Sequence, residues 1–246
     1  MTEVLDIENL KRALALVKLN KGAPGAIALF SGDPDNQSIA AGKARFPADP
    51  GLIQGAILGV MQVTHASLED ARAVAEIHVN AWRVAYESIF SAEYLASLSV
   101  EKRHAWWSEC IAAGTPELLV AKSNGSVHGW LNFAACRDEG APKCEAEIWA
   151  VYVAPMFWST GTGRLLWLRA KQLMLEQGFT SCSLWVFPQN ARAIKFYEAA
   201  GFAADSCPPK TFERDGRHLQ EVRYVCQLDA NMALKRDCEK ARSPSI

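Results

Sequence analysis

FWSTGTGR, residues 157–164, stands between an apolar run ending in Val153-Ala154-Pro155 and a leucine-rich run that begins at Leu165. Two glycines one residue apart, Gly161 and Gly163, can simply turn the chain between a strand and a helix. They can also let an anion approach the first-turn backbone N–H groups, where no intrahelical carbonyl accepts and the helix dipole is positive. The residues that follow sort the candidate anions. A nucleoside triphosphate loop needs Gly-Lys-Ser/Thr after four spacers, and no lysine follows. A dinucleotide fingerprint needs a third glycine, but Leu166 stands there. What remains is a strand, a Gly-x-Gly turn and a helix, whose amides over Ser159, Thr160, Gly161, Thr162, Gly163 and Arg164 would face a pyrophosphate, or else a plain turn.

Two further side chains invite chemistry. Glu147 is the exception in a stretch, 146–153, that is apolar on both faces. A carboxylate there is costly unless paired or solvated. It reads either as a water-linked general base with a raised pKa or as a structural acid in a salt bridge or at a solvated strand end. Tyr197 shares a helical stripe with Ala193, Phe196 and Ala200, the pattern of a core aromatic whose hydroxyl finds a partner. Asn190 precedes that helix as an N-cap would. Trp82, Tyr86, Phe90 and Tyr94 recur every four residues, either a core stripe or one wall of a pocket, and Trp106-Trp107 add to the aromatic load.

The elements that must hold these residues can be read from periodicity. Residues 62–66 form a short strand. Ser67-Leu68-Glu69-Asp70 has the form of a capping box, and Leu68, Ala71, Val74, Ala75 and His78 continue at helical spacing to Trp82. A second helical stretch covers 91–112. Ser123-Asn124-Gly125 turns a hairpin between 118–121 and 127–133. A loop (137–144), a strand (146–153), the glycine loop and a helix ending before Gly178 follow. Then come a strand at 182–187, a helix at 190–200 closed by Gly201, and a last strand at 219–228. The text before Met61 differs: a helix from Asp6 to Lys18, then Gly-, Pro- and Asp-rich sequence. This divides the chain into an extension (1–60), one α/β (α+β) domain (61–229) and a polar tail (230–246).

Bulk properties exclude several classes. The formal net charge of −1 over 246 residues predicts no nucleic acid and no anionic membrane as partner. No apolar run reaches the ~20 residues of a bilayer span, and MTEVLDIENLKR is no secretory signal. Seven cysteines, irregularly spaced and without a C-x-x-C pair, read as free thiols of a cytoplasmic protein, not as a disulfide framework or zinc site.

EAEIWAVYVAPMFWSTGTGRLLW (145–167) followed by LWVFPQNARAIKFYEAAGF (184–202) resembles the GCN5-related N-acetyltransferase (GNAT) superfamily, and the order of elements over about 62–228 agrees. The resemblance implies a GNAT-like mixed, mostly antiparallel central sheet flanked by helices. It implies acetyl-CoA as co-substrate, without a metal. Its pyrophosphate would lie on the 159–164 amides, and its pantetheine beside the backbone of Val151, Tyr152 and Val153 as a pseudo-strand. Asn190 would be a further contact. In the family an acid near position 147 often removes the amine proton, and a tyrosine at position 197 protonates the departing thiolate. The loop between the first two helices roofs the acceptor site, which brings in Trp82 and Tyr86. A small-molecule primary amine is the expected acceptor, with a homodimer left open. A protein N-acetyltransferase and a non-catalytic acyl-CoA-binding or regulatory module are the alternatives.

Two departures stand out. The family often has Gln or Arg where Trp158 stands and a basic residue where Thr160 stands. The backbone donors survive both changes, one charge-assisted contact does not, and Arg164 would partly compensate. Separately, VLDIENLKRALALVKLNKGAPG (4–25) resembles the opening segment of group II intron reverse transcriptases but departs at Ala26-Ile27-Ala28. Nothing later supplies the paired aspartates of a polymerase. It reads as a fused fragment, with an RNA- or partner-binding arm as the alternative.

Overall fold

The computed structural model describes Ala26–Ala28 and residues 61–228; the helix expected over Asp6–Lys18 and the polar tail lie outside the described residues. The strands are β1 (Ala26–Ala28), β2 (Gln62–His65), β3 (Glu117–Ser123), β4 (Ser126–Ala135), β5 (Glu145–Val153), β6 (Ser181–Val186), β7 (Ala203–Ala204), β8 (Lys210–Arg214) and β9 (Arg217–Gln227). They run in the order β2-β3-β4-β5-β6-β9-β7, with β1 beside β5 and β8 beside β9. Pairing is antiparallel except for β5–β6 and β1–β5. The mixed, mostly antiparallel sheet flanked by helices is the one the resemblance implies.

The helices are α1 (Ala71–Ala85), α2 (Ala92–Ala96), α3 (Val100–Ala113), α4 (Thr162–Glu176) and α5 (Ala191–Ala200). The capping box at the start of α1 forms: Ser67 N donates to Asp70 Oδ2 at 2.8 Å. Asp70 Oδ1 also meets Lys122 Nζ of β3 at 2.7 Å, which anchors the helix to the sheet. Burial alone would raise the Asp70 carboxyl, but Lys122 and Ser67 hold it below its ordinary value. The stretch 91–112, expected as one helical run, is two helices, each started by its own serine cap. Tyr94 N donates to Ser91 Oγ and Lys102 N to Ser99 Oγ.

α1 and α3 pack together over one face of β4 and β5, and α4 covers the other. Val74, Ala75, Ile77, Ala81 and Trp82 of α1 are buried, as are Leu166, Trp167, Ala170 and Met174 of α4. Each large side chain so buried contributes about 1.5–3 kcal/mol. The last strand is longer than expected and belongs to a hairpin with β8 that periodicity does not reveal. Asp215 (φ 55°) and Gly216 (φ 64°) form its turn. That Asp-Gly pair was the available signal.

One irregularity decides how the site is built. Register shifts by one residue between β4 and β5, so Asn132 faces Ala150 while Phe133 faces Ile148, and Trp149 is the extra residue. The bulge breaks the strict alternation read from the sequence. Because of it, Glu147 and the even-numbered Ala150 and Tyr152 share the face under α1 and α3.

Candidate active site

β5 and β6 pair only at Glu145↔Ser181, Ala146↔Cys182 and Glu147↔Ser183. Beyond that β6 stays with β9 as far as Val186↔Val222, while β5 stays with β4 as far as Val153↔Gly129. The two central strands therefore part, and the edge of β5 facing β6 is left for another extended chain. In this structure β1 takes it, in parallel, at Ala26↔Ala150, Ile27↔Val151 and Ala28↔Tyr152. The slot demonstrably accepts an extended backbone. Val153 lies one residue further on, and its carbonyl accepts the Trp158 Nε1–H at 2.7 Å.

At the end of the slot the chain turns through Pro155–Phe157 into the glycine loop. Ser159 (φ 62°) and Gly161 (φ 90°) adopt left-handed backbone, and α4 begins at Thr162. Leu165 N donates to Gly161 O, so the amides of Thr162 and Gly163 precede the first intrahelical bond and sit at the positive end of the dipole. Thr160 Oγ1 donates to Phe157 O at 2.7 Å and lies 2.9 Å from Thr162 Oγ1, which ties the loop to itself. Trp158, so placed, is a staple between the loop and the end of β5. The Arg192 guanidinium of α5 lies 4.4 Å over its ring. Thus the departure at Trp158 brings a cation to the loop from another element, a residue sequence reasoning missed. Asn190 accepts from Ala193 N at 3.2 Å, the N-cap of α5.

Tyr197 is buried on the inner face of α5, and its phenol is close enough to Tyr152, Cys182 and Glu221 to be influenced by each. Burial, then these neighbours, push its pKa well above the ordinary tyrosine value. Trp82 donates its Nε1–H to the Tyr152 hydroxyl, and Tyr86 is packed edge-on to Trp82 with ring centroids 4.9 Å apart. Trp82 and Tyr86 are thus brought to β5, as core and wall together. Tyr152, predicted only as a backbone contact, contributes a buried phenol there.

Glu147 is 1% exposed and paired with Arg137. Its Oε2 accepts from both Arg137 N and Arg137 Nε at 3.0 Å, and its Oε1 pairs with the guanidinium's outer nitrogen. Of the two readings open for Glu147, the structure displays the salt bridge. Arg137 in turn lies 4.2 Å over the Trp149 ring. Both line a narrow aromatic cavity of about 20 Å³ between β5 and helices α1 and α3, with Trp82, Trp107, Trp130 and Tyr152 as walls. His78 in this wall accepts the Trp107 Nε1–H on Nδ1 at 3.3 Å. Burial, and then Arg103 nearby, hold its pKa well below the ordinary value, so it is neutral with its proton on Nε2. Nothing in the spacing of Arg137 and Glu147 marks them as partners; the bulge and the loop that follows β4 bring them together.

Among the described residues no group of three His, Cys, Asp or Glu could hold a metal ion, and no helix is long and apolar enough to cross a membrane. Comparison with known proteins agrees with the geometry. Residues 74–202 match the family described as Acetyltransferase (GNAT) family. The uncharacterized N-acetyltransferase YuaI of Bacillus subtilis is 31% identical over 163 residues, 66% of this chain and 91% of that protein. The spermidine N(1)-acetyltransferase of Thermoplasma acidophilum is 24% identical over 157 residues, 62% of this chain and 94% of that protein. Among solved structures, YncA of Salmonella typhimurium, a putative acetyltransferase with its cofactor acetyl-CoA, aligns with a TM-score of 0.54 and 26% identity over 70% of this chain and 95% of its own. The PaiA N-acetyltransferase of Thermoplasma acidophilum, in complex with coenzyme A, shares the fold at a TM-score of 0.54 and 21% identity, over 68% of this chain and 99% of its own. The parted strands, the glycine loop and these likenesses have one explanation: the chain belongs to the GNAT acetyltransferase family.

Proposed function

We propose that the protein transfers an acetyl group from acetyl-CoA to the primary amine of a small molecule by direct attack. One observation carries this reading: β5 and β6 part after Glu147 and Ser183, and the slot so formed leads straight to the first-turn amides of α4. The backbone edge of Val151 and Tyr152 would hold a pantetheine arm as an added strand. The amides of Thr162 and Gly163, with Ser159, Thr160, Gly161 and Arg164 shaping the loop, would hold the pyrophosphate, and Arg192 stands ready beside Trp158 for a phosphate oxygen. Asn190 fixes the start of α5, and hence the Tyr197 phenol. Acetyl-CoA supplies an acetyl group already activated as a thioester. Tyr197, protonated throughout the physiological range, gives its proton to the departing sulfur. Glu147, paired with Arg137, shapes the acceptor side; the proton of the attacking nitrogen leaves through water, and a role for Glu147 as water-linked base would require that pair to loosen. Trp82 and Tyr86 close the acceptor pocket against water. Support for a small amine comes from the aromatic, narrow lining and from the relative in Thermoplasma acidophilum named for spermidine.

The test is thiol release from acetyl-CoA over a panel of amines. Turnover with a small amine is the expected result. Thermal stabilisation by CoA with no turnover on any amine would instead identify a binding or regulatory module.

A further inference from the structure

The bulge sets two consecutive residues of β5, Trp149 and Ala150, against Asn132 of β4. In a regular strand such neighbours point to opposite faces, but here both line the aromatic cavity, together with Asn132 and, from α1, His78. The three polar side chains among these are more than nine-tenths buried: Asn132 is 2%, His78 6% and Trp149 7% exposed. Asn132 Oδ1, His78 Nε2 and Trp149 Nε1 have no hydrogen-bond partner among the described residues. Trp107 sets the tautomer of His78: its Nε1–H donates to His78 Nδ1 at 3.3 Å, so Nε2 carries the imidazole proton. The base of the cavity thus offers two N–H donors and one carbonyl acceptor.

Buried polar groups are costly without partners, and three around one cavity define the group that would satisfy them. No carboxylate is among the lining residues, and the guanidinium there, Arg137, is engaged by Glu147, so the group called for is neutral. It must accept two hydrogen bonds and donate one. A hydroxyl does this with its two lone pairs and single O–H. A carboxylate brings no donor for Asn132, and an ammonium brings no acceptor for His78 and Trp149. Size agrees, because about 20 Å³ admits one water-sized group. Water has the same complement of donors and acceptors and is the natural occupant until a ligand displaces it. The lining residues that reach solvent are Ala150, Trp106 and Arg137, and Ala150 lies on the β5 edge that forms the slot. Resting on the acetyltransferase reading above, we propose that the acceptor is an amino alcohol, its hydroxyl bound by Asn132, His78 and Trp149 at the base of the aromatic cavity and its amine at the rim beside β5.

The experiment compares kcat/KM for the full-length protein on ethanolamine and propanolamine, on ethylamine and propylamine, on the methyl ethers of the two amino alcohols, and on spermidine. A site built to hydrogen-bond a hydroxyl discriminates against analogues that leave its buried groups unpaired. The amino alcohols should therefore exceed the alkylamines and the ethers by roughly tenfold or more. Trp149→Phe keeps an aromatic ring under Arg137, and Asn132→Leu keeps the side-chain volume. Each should bring that ratio toward one, mainly through a larger KM for the amino alcohol, with circular dichroism confirming the fold. Should Asn132→Leu fail to fold, Trp149→Phe decides alone. Alkylamines, ethers or spermidine acetylated as well as the amino alcohols, or variants that lower all of them equally, would overturn the hydroxyl site and leave the cavity to a buried water only. Calorimetric binding of ethanolamine that weakens in Trp149→Phe, with no thiol released from acetyl-CoA by any amine, would overturn the acetyl-transfer reading and uphold the hydroxyl site.

Discussion

Tyr197 is where the chemistry of the site can be isolated in a single atom. Its phenol lies buried beside Tyr152, Cys182 and Glu221, and Tyr197→Phe removes the proton while keeping the ring that packs against Phe202 at 5.5 Å. Turnover should fall about tenfold or more with little change in stability; an unchanged kcat would remove Tyr197 from the mechanism. The direction of its pKa adds a second check. A general acid works while protonated, and this group's pKa is raised, so activity should hold as pH rises through the neutral range and fail only above the ordinary tyrosine value. Glu147 poses the opposite case. Glu147→Gln leaves Arg137 charged with a weakened partner, and breaking a buried pair costs about 3 kcal/mol. The melting temperature should drop and acceptor KM rise, while the acid limb of the kcat/KM profile keeps its shape. Disappearance of that limb would show that Glu147 does abstract the proton.

At the scale of elements, the loop after β5 was legible because its logic is local. Val153-x-Pro155, two glycines and a leucine-rich run specify a strand, a turn and a helix start by short-range rules, and the structure has each of them. The same holds for the Asn190 cap and the Ser67–Asp70 box. What could not be read depends on long-range register. The bulge at Trp149 puts Glu147 on the face of Tyr152 and lets Arg137 reach it, and no pattern along one strand discloses a shift against its neighbour. Trp158 looked like a loss of polarity. In place it ties the loop to the carbonyl of Val153 and carries Arg192. The glycine loop makes its own prediction. Gly161 sits at φ 90°, a backbone that a β-branched residue cannot adopt without strain. Gly161→Val should therefore move the Thr162 and Gly163 amides and weaken CoA binding by roughly tenfold or more, leaving far-UV dichroism unchanged. Normal CoA affinity measured by calorimetry would mean the loop is only a turn.

For the whole molecule, the decisive relation is between the extension and the slot. β1 pairs with Ala150, Val151 and Tyr152 on the edge of β5 that the proposed pantetheine arm requires. One strand edge hydrogen-bonds one neighbour at a time, so β1 and acetyl-CoA compete, and the apparent affinity for acetyl-CoA is reduced by the fraction of molecules in which the slot is free. Removing residues 1–60 should then lower KM for acetyl-CoA, by roughly threefold or more if the slot is filled most of the time, with kcat nearly unchanged. Ile27→Pro in the full-length chain should act in the same direction, because proline supplies no N–H to a ladder. It does so without shortening the chain, which separates loss of the strand from loss of the rest of the extension. An arm that only captures a partner predicts the reverse: neither change alters KM for acetyl-CoA. Steady-state kinetics on the three proteins, with acetyl-CoA varied at saturating amine, decides between competition for the slot and an arm that merely happens to rest there.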